Sequence, residues 1–125
     1  LDPAGVEYFN QEIGDTVLFL VDQSSLTAEA TDLLNKQAEW LLNNPNKSIT
    51  IEGHADETGT REYNLALGAR RAASVQNYLV SRGLTDSRIN TVTFGKERPL
   101  AICSDEACWS KNRRSVTLVA GGLGY

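Results

Sequence analysis

Residues 49–83 read ITIEGHADETGTREYNLALGARRAASVQNYLVSRG, a strand, a polar loop and a long helix in succession. Ile49 and Ile51 alternate with Thr50 and Glu52, the period-two pattern of a strand, which ends at Gly53. His54 to Thr60 is a polar loop containing Gly59. From about Arg61 to Arg82 the apolar residues recur at helical spacing, and Gly83 supplies the stop.

The same two patterns extend outward. Val17 to Val21 is a continuous apolar run, read as a strand buried on both faces. Thr27 is placed to cap a helix to about Asn43, with Ala30, Leu33, Leu34, Ala38 and Leu41 on one stripe, and Asn44-Pro45 stops it. Ile89 to Phe94 is a third strand, closed by Gly95. Residues 96–112 read as a long polar connection, and Ser115 to Val119 as the last strand, with Val116 and Leu118 on one face. The order is β-α-β-α-β-β. An α/β (α+β) two-layer sandwich, with helices on one side of a mixed four-stranded sheet, buries both helix stripes. Residues 1–15 are expected to form an N-terminal arm, 16–120 the domain, and 121–125 a flexible tail.

The chain of 125 residues suits one domain with its own core. Its 41% hydrophobic and 22% charged residues argue against disorder. A net charge of −4 argues against a general nucleic-acid binder or an anionic membrane surface. No apolar stretch approaches the roughly 20 residues that cross a bilayer. The chain opens at Leu1 and contains no Met, which reads as a processed or trimmed start, so any native targeting segment or lipid site is out of view.

Few residues invite catalysis. No hydrolase elbow, P-loop or dinucleotide fingerprint is present, and no cofactor is implied. His54 is the only histidine, and no spacing pairs it with a nucleophile. A metal cluster of His54, Asp56 and Glu57 is weaker than the plain reading, a polar loop after a strand. Cys103 and Cys108 lack C-x-x-C spacing, and with one His they fall short of a zinc set. They read as a local disulfide in an oxidising compartment, or else as two free thiols.

Arg71 carries the most information. At about 100° per residue, and with Asn64 at zero, Arg71 falls near −20°, at the edge of the apolar stripe, whereas Arg70 falls on the solvent side. An inward Arg keeps its charge and calls for an anion. Two readings stand: an internal ion pair, or a socket for a ligand carboxylate with Asn64 on the same face. Asp56, in the loop entering that helix, is either a turn residue or the acceptor for a cationic group. Together they suit a zwitterionic ligand end. A straight helix puts Arg71 about 16 Å from Thr60, which asks for an elongated ligand or a helix broken near Leu67-Gly68.

Glu52-Gly53-His54-Ala55-Asp56-Glu57-Thr58-Gly59, Glu62-Tyr63-Asn64, Leu67-Gly68, Arg70-Arg71-Ala72 and Val75-x-x-Tyr78-Leu79 occur in that order. Gly95-Lys96-Glu97-x-Pro99 and Ser110-Lys111-Asn112-Arg113-Arg114 follow. From about Val17 to Val119 the chain closely resembles the OmpA-like peptidoglycan-binding domain, especially its lipoprotein branch. The resemblance implies a two-layer fold, no catalysis, and non-covalent binding of the diaminopimelate in the peptidoglycan stem peptide. It implies Asp56 for the amine and Arg71 for a carboxylate, with Thr58, Asn64 and one arginine of the 113–114 pair, taken as Arg113, lining the site. Asp22 is a candidate from the loop after Phe19. Leu20-Val21 departs from the Phe-Asp-Phe-type segment of many members, which leaves backbone contacts as the expectation there. The cysteine pair is absent from many members and is placed outside the shared mechanism. The resemblance also implies the TolB propeller and other Tol-system proteins as partners. It further implies a lipid anchor in the outer membrane and a periplasmic location. The same module in a porin or a motor stator is the alternative. A peptidoglycan amidase or carboxypeptidase lacks its metal set or nucleophile.

Overall fold

A computed structural model describes residues 1–120, so the expected tail at 121–125 lies outside the described residues. A single turn, α1 (Val6–Tyr8), runs into a π-helical stretch, Phe9–Gly14. Then follow β1 (Thr16–Leu18), α2 (Ala28–Asn43), β2 (Ile49–His54), α3 (Arg61–Ser81), β3 (Ile89–Gly95), α4 (Glu106–Asn112) and β4 (Arg114–Val119). The sheet order is β1-β4-β2-β3. β2 and β3 are parallel, and β4 is antiparallel to both β1 and β2, so the sheet is mixed as expected.

The helix ends follow local chemistry. Thr27 caps α2 by accepting from the Ala30 N–H, and Thr60 caps α3 by accepting from the Tyr63 N–H. Past the end of α3, Gly83 sits at φ +109°, a left-handed value that Gly adopts without penalty. Arg88 closes the far end of α2 by donating to the carbonyls of Leu41, Asn44 and Lys47.

Leu34, Ala38 and Leu41 of α2 pack with Ala72, Val75 and Leu79 of α3 over Val17, Ile49 and Ile51 of the sheet. The N-terminal residues join this core. Phe9 is fully buried 5.0 Å from the Trp40 ring, and the Trp40 indole donates to the Pro3 carbonyl.

Two expectations need correction. The run from Val17 to Val21 is not a strand buried on both faces. Only Thr16–Leu18 pairs, at the sheet edge, and burial alternates: Val17 and Phe19 are inside while Leu18, Leu20 and Val21 are exposed. Residues 96–112 are more than a polar connection, because Asp105 caps α4 by accepting from the Ala107 N–H. At 7 residues α4 is too short to display a period.

Candidate functional site

The site is set by a close crossing of backbones. A Cβ added to Gly53 would lie 1.7 Å from the Gly68 carbonyl oxygen, so β2 and α3 touch where neither has a side chain. One residue past Gly53 is His54, and one turn past Gly68 is Arg71. The Arg71 Nη1 donates to the His54 carbonyl at 2.8 Å. The loop from Ala55 to Thr60 climbs away from the strand, and α3 runs back past the strand end without a break. Asp56 and Arg71 are thereby brought together, and neither a broken helix nor an elongated ligand is needed. Gly68 serves close packing.

Arg71 has no solvent exposure, yet among the described residues no carboxylate lies within 4.0 Å of it. Of the two readings of Arg71, the internal ion pair is absent among the described residues. Its three nitrogens donate instead to backbone carbonyls: Nε to Gln23 at 2.9 Å, Nη1 to His54, and Nη2 to Leu20 at 3.2 Å. Its cationic carbon stands 5.2 Å from the centre of the Phe19 ring. Burial lowers its pKa to about 10, against the opposing pull of Asp56. A guanidinium carries five N–H donors, so a second hydrogen on each Nη remains open. Leu20 to Gln23 forms a lid over this charge. Asp22 takes a left-handed φ of +57° there, and the Tyr63 hydroxyl donates to its carboxylate.

Asp56 lies beside this socket and is itself buried. The Thr58 N–H and hydroxyl both donate to Asp56 Oδ1, and Asn64 Nδ2 donates to the Thr58 carbonyl at 2.6 Å. Arg113 Nη1 reaches Asp56 Oδ2 at 3.4 Å, and its Nε donates to the Phe19 carbonyl at 3.0 Å. Arg114 turns away, to the carbonyls of Asn112 and Arg98. Asp56, Thr58, Asn64, Arg71 and Arg113 thus gather at one place, with Asp22 on its lid. An open groove of about 480 Å³ leads from Arg113 and Phe19 along β1 to the start of α2.

Several contributors were not foreseen. Glu106 grips the outer edge of Arg113 with both oxygens, at 2.7 and 3.2 Å. The Trp109 indole donates to Glu57 at 2.9 Å. Both come from α4, in the segment expected to be a long polar connection. Tyr63, next to Asn64 in sequence, is not among the expected site residues, and its hydroxyl reaches Asp22 from 41 positions away, a contact that leaves no local signal. Cys103 and Cys108 form a disulfide at the entry to α4. Their sulfurs, grouped with Asp105, are bonded to each other and offer no thiolate.

His54 takes no part as a ligand group. It is buried, stacks on Phe94, and pairs through Nε2 with Glu52 at 2.9 Å. Among the described residues its Nδ1 has no partner, and burial holds its pKa below the usual value.

A mixed sheet carrying two helices, with a caged arginine beside a buried aspartate at the end of its inner parallel strand, defines the class: the chain belongs to the OmpA family, which matches residues 18–113. Its relatives include lipoproteins. The peptidoglycan-associated lipoprotein of Rhizobium meliloti (strain 1021) is 54% identical over 119 residues, 95% of this chain and 68% of that protein. The one from Haemophilus influenzae is 42% identical over 85% of this chain and 69% of its own. The crystal structure of the peptidoglycan-associated lipoprotein from Burkholderia pseudomallei matches with a TM-score of 0.86 and 37% identity, covering 94% of this chain and 99% of that one. The C-terminal domain of Helicobacter pylori MotB shares the fold at a TM-score of 0.79 and 19% identity, over 87% and 88% of the two chains.

Proposed function

We propose that this domain binds peptidoglycan without catalysis and without a covalent bond, holding the zwitterionic end of diaminopimelate in the stem peptide. The observation that carries this reading is Arg71. A buried guanidinium with no carboxylate partner is costly unless an anion completes it. Its lid is backbone from an exposed segment, which a ligand carboxylate can displace to take two parallel hydrogen bonds. Asp56, beside it, receives the ligand ammonium. Thr58 and Asn64 hold Asp56 and its loop in place, and Arg113 and Asp22 flank the pair. The names of the relatives support association with peptidoglycan.

On this reading the domain tethers the outer membrane to the cell wall, as part of the Tol–Pal system, with TolB among its partners. It acts at the periplasmic face of the outer membrane, held there by a lipid anchor outside this chain. Co-sedimentation with purified sacculi tests the reading. The domain should pellet with walls that contain diaminopimelate and stay in solution with walls built on lysine. Equal pelleting with both would sink the ligand assignment.

A further inference from the structure

We infer that Glu106 is a specificity-determining residue: by gripping Arg113 it keeps the Asp56 charge free for a ligand ammonium, and the Cys103–Cys108 disulfide holds it there. The inference rests on the proposed diaminopimelate reading.

Arg113 stands between two carboxylates. It is buried, and so is Asp56, whereas Glu106 is 63% exposed. The buried pair ought to be the tighter one, because a low-dielectric setting strengthens attraction. The distances run the other way. Glu106 takes both outer nitrogens, at 2.7 and 3.2 Å, while the Asp56 contact is 3.4 Å and single. Arg113 is therefore spent on Glu106, and the Phe19 carbonyl holds its Nε from behind. Asp56 keeps most of its negative field, directed at the place where Arg71 waits for an anion. Without the Glu106 charge, Arg113 would close onto Asp56 and neutralise it. Loss of that charge would also shift the local charge of Asp56, Arg113 and Glu106 from −1 to zero, again at the expense of a cationic ligand end.

Glu106 owes its place to its neighbours. It is the first residue of α4, directly after the cap Asp105, and the disulfide closes residues 103–108 around that start. This gives the cysteine pair a role in the site without contact to a ligand.

The test is titration calorimetry with the full domain and two synthetic peptides. One is the L-Ala-D-Glu-diaminopimelate tripeptide, and the other replaces diaminopimelate with 2-aminopimelate, which keeps the amide nitrogen and lacks only the free ammonium. The ratio of their affinities is the readout, with melting temperature as the check on folding. Glu106→Gln keeps the size and removes the charge. It should lower the ratio about fivefold or more, by weakening the first peptide and sparing the second. Glu106→Asp should keep most of the ratio. Cys103→Ser/Cys108→Ser should lower it by a smaller factor. An unchanged ratio in Glu106→Gln, with normal tripeptide binding by the native domain, overturns the role of Glu106 alone. An unchanged ratio in the cysteine variant removes the disulfide from the account. Failure of the native domain to bind the tripeptide overturns the diaminopimelate reading, and this inference with it.

Discussion

Gly53 and Gly68 cross so closely that neither can carry a side chain. A Cβ on Gly68 would stand 2.4 Å from the Thr93 hydroxyl oxygen and 2.9 Å from the Gly53 carbonyl oxygen. Arg71 and Asp56 both take their positions from this crossing. Gly68→Ala should destabilise the domain by about 1–3 kcal/mol through forced repacking. It should also weaken peptide binding, because α3 must lift from β2. Thermal unfolding and calorimetry on one variant check both effects, and a melting temperature equal to that of the native chain would contradict the crossing.

Arg70 and Arg71 should separate cleanly. Arg70 is exposed, 6.0 Å from the centre of the Tyr63 ring, while Arg71 is caged. Arg71→Ala and Asp56→Ala should each weaken diaminopimelate-peptide binding about tenfold or more, Arg71→Lys should recover part, and Arg70→Ala should do little. Arg71→Met keeps bulk and removes a buried charge without a carboxylate partner. It should lose binding with the ligand-free melting temperature shifted by only about a few degrees. Full affinity in Arg71→Met would end the socket reading.

Acid should loosen the fold through His54. Its folded pKa lies below its ordinary value of 6.5 because burial disfavours the charged ring; Arg114 and Arg98 act in the same direction, and Glu52 opposes them. The unfolded chain therefore binds more protons just below pH 6.5, so stability is full above that value and falls as pH drops through it. Melting temperatures should be flat from about pH 8 to 7 and decline from about pH 6.5 to 5. His54→Gln should flatten the decline. The depressed carboxyls of Glu57 and Glu106 act only in a lower range.

The disulfide closes a short loop, worth about 2 kcal/mol on the chain-entropy relation. Cys103→Ser/Cys108→Ser should lower the melting temperature by about 5–10 °C and leave the domain folded. Tripeptide binding should fall by less than in Arg71→Ala. Mass analysis of exported protein after alkylation without reductant should find no labelled thiol.

Legibility in the sequence followed the range of the interaction. α2 and α3 could be read because cap, stripe and stop lie within each segment: Thr27 to Asn43, and Thr60 to Gly83. Helix phase alone placed Arg71 inside and Arg70 outside. What surrounds Arg71 was not legible, since the Leu20 and Gln23 carbonyls that cage it are 51 and 48 residues away. Backbone acceptors leave no mark on residue identity. Glu106 was hidden for a similar reason, because its grip on Arg113 depends on α4, whose 7 residues carry no period. The distance from Thr60 to Arg71 along the helix is about 16 Å, but Asp56 sits beside Arg71 because the loop between β2 and α3 brings the chain back.

The lid over Arg71 is made of carbonyls, which every amino acid carries, while the side chains of Leu20 and Val21 point into solvent at 56% and 60% exposure. A saturation library across these positions should therefore be widely tolerant. Asp22 is the exception, since its left-handed backbone favours Asn, Asp or Gly. Drift in this segment can erase sequence similarity without altering the cage. Two chains with no lid residue in common can close over the same arginine, and divergence here is a poor clock for divergence in ligand.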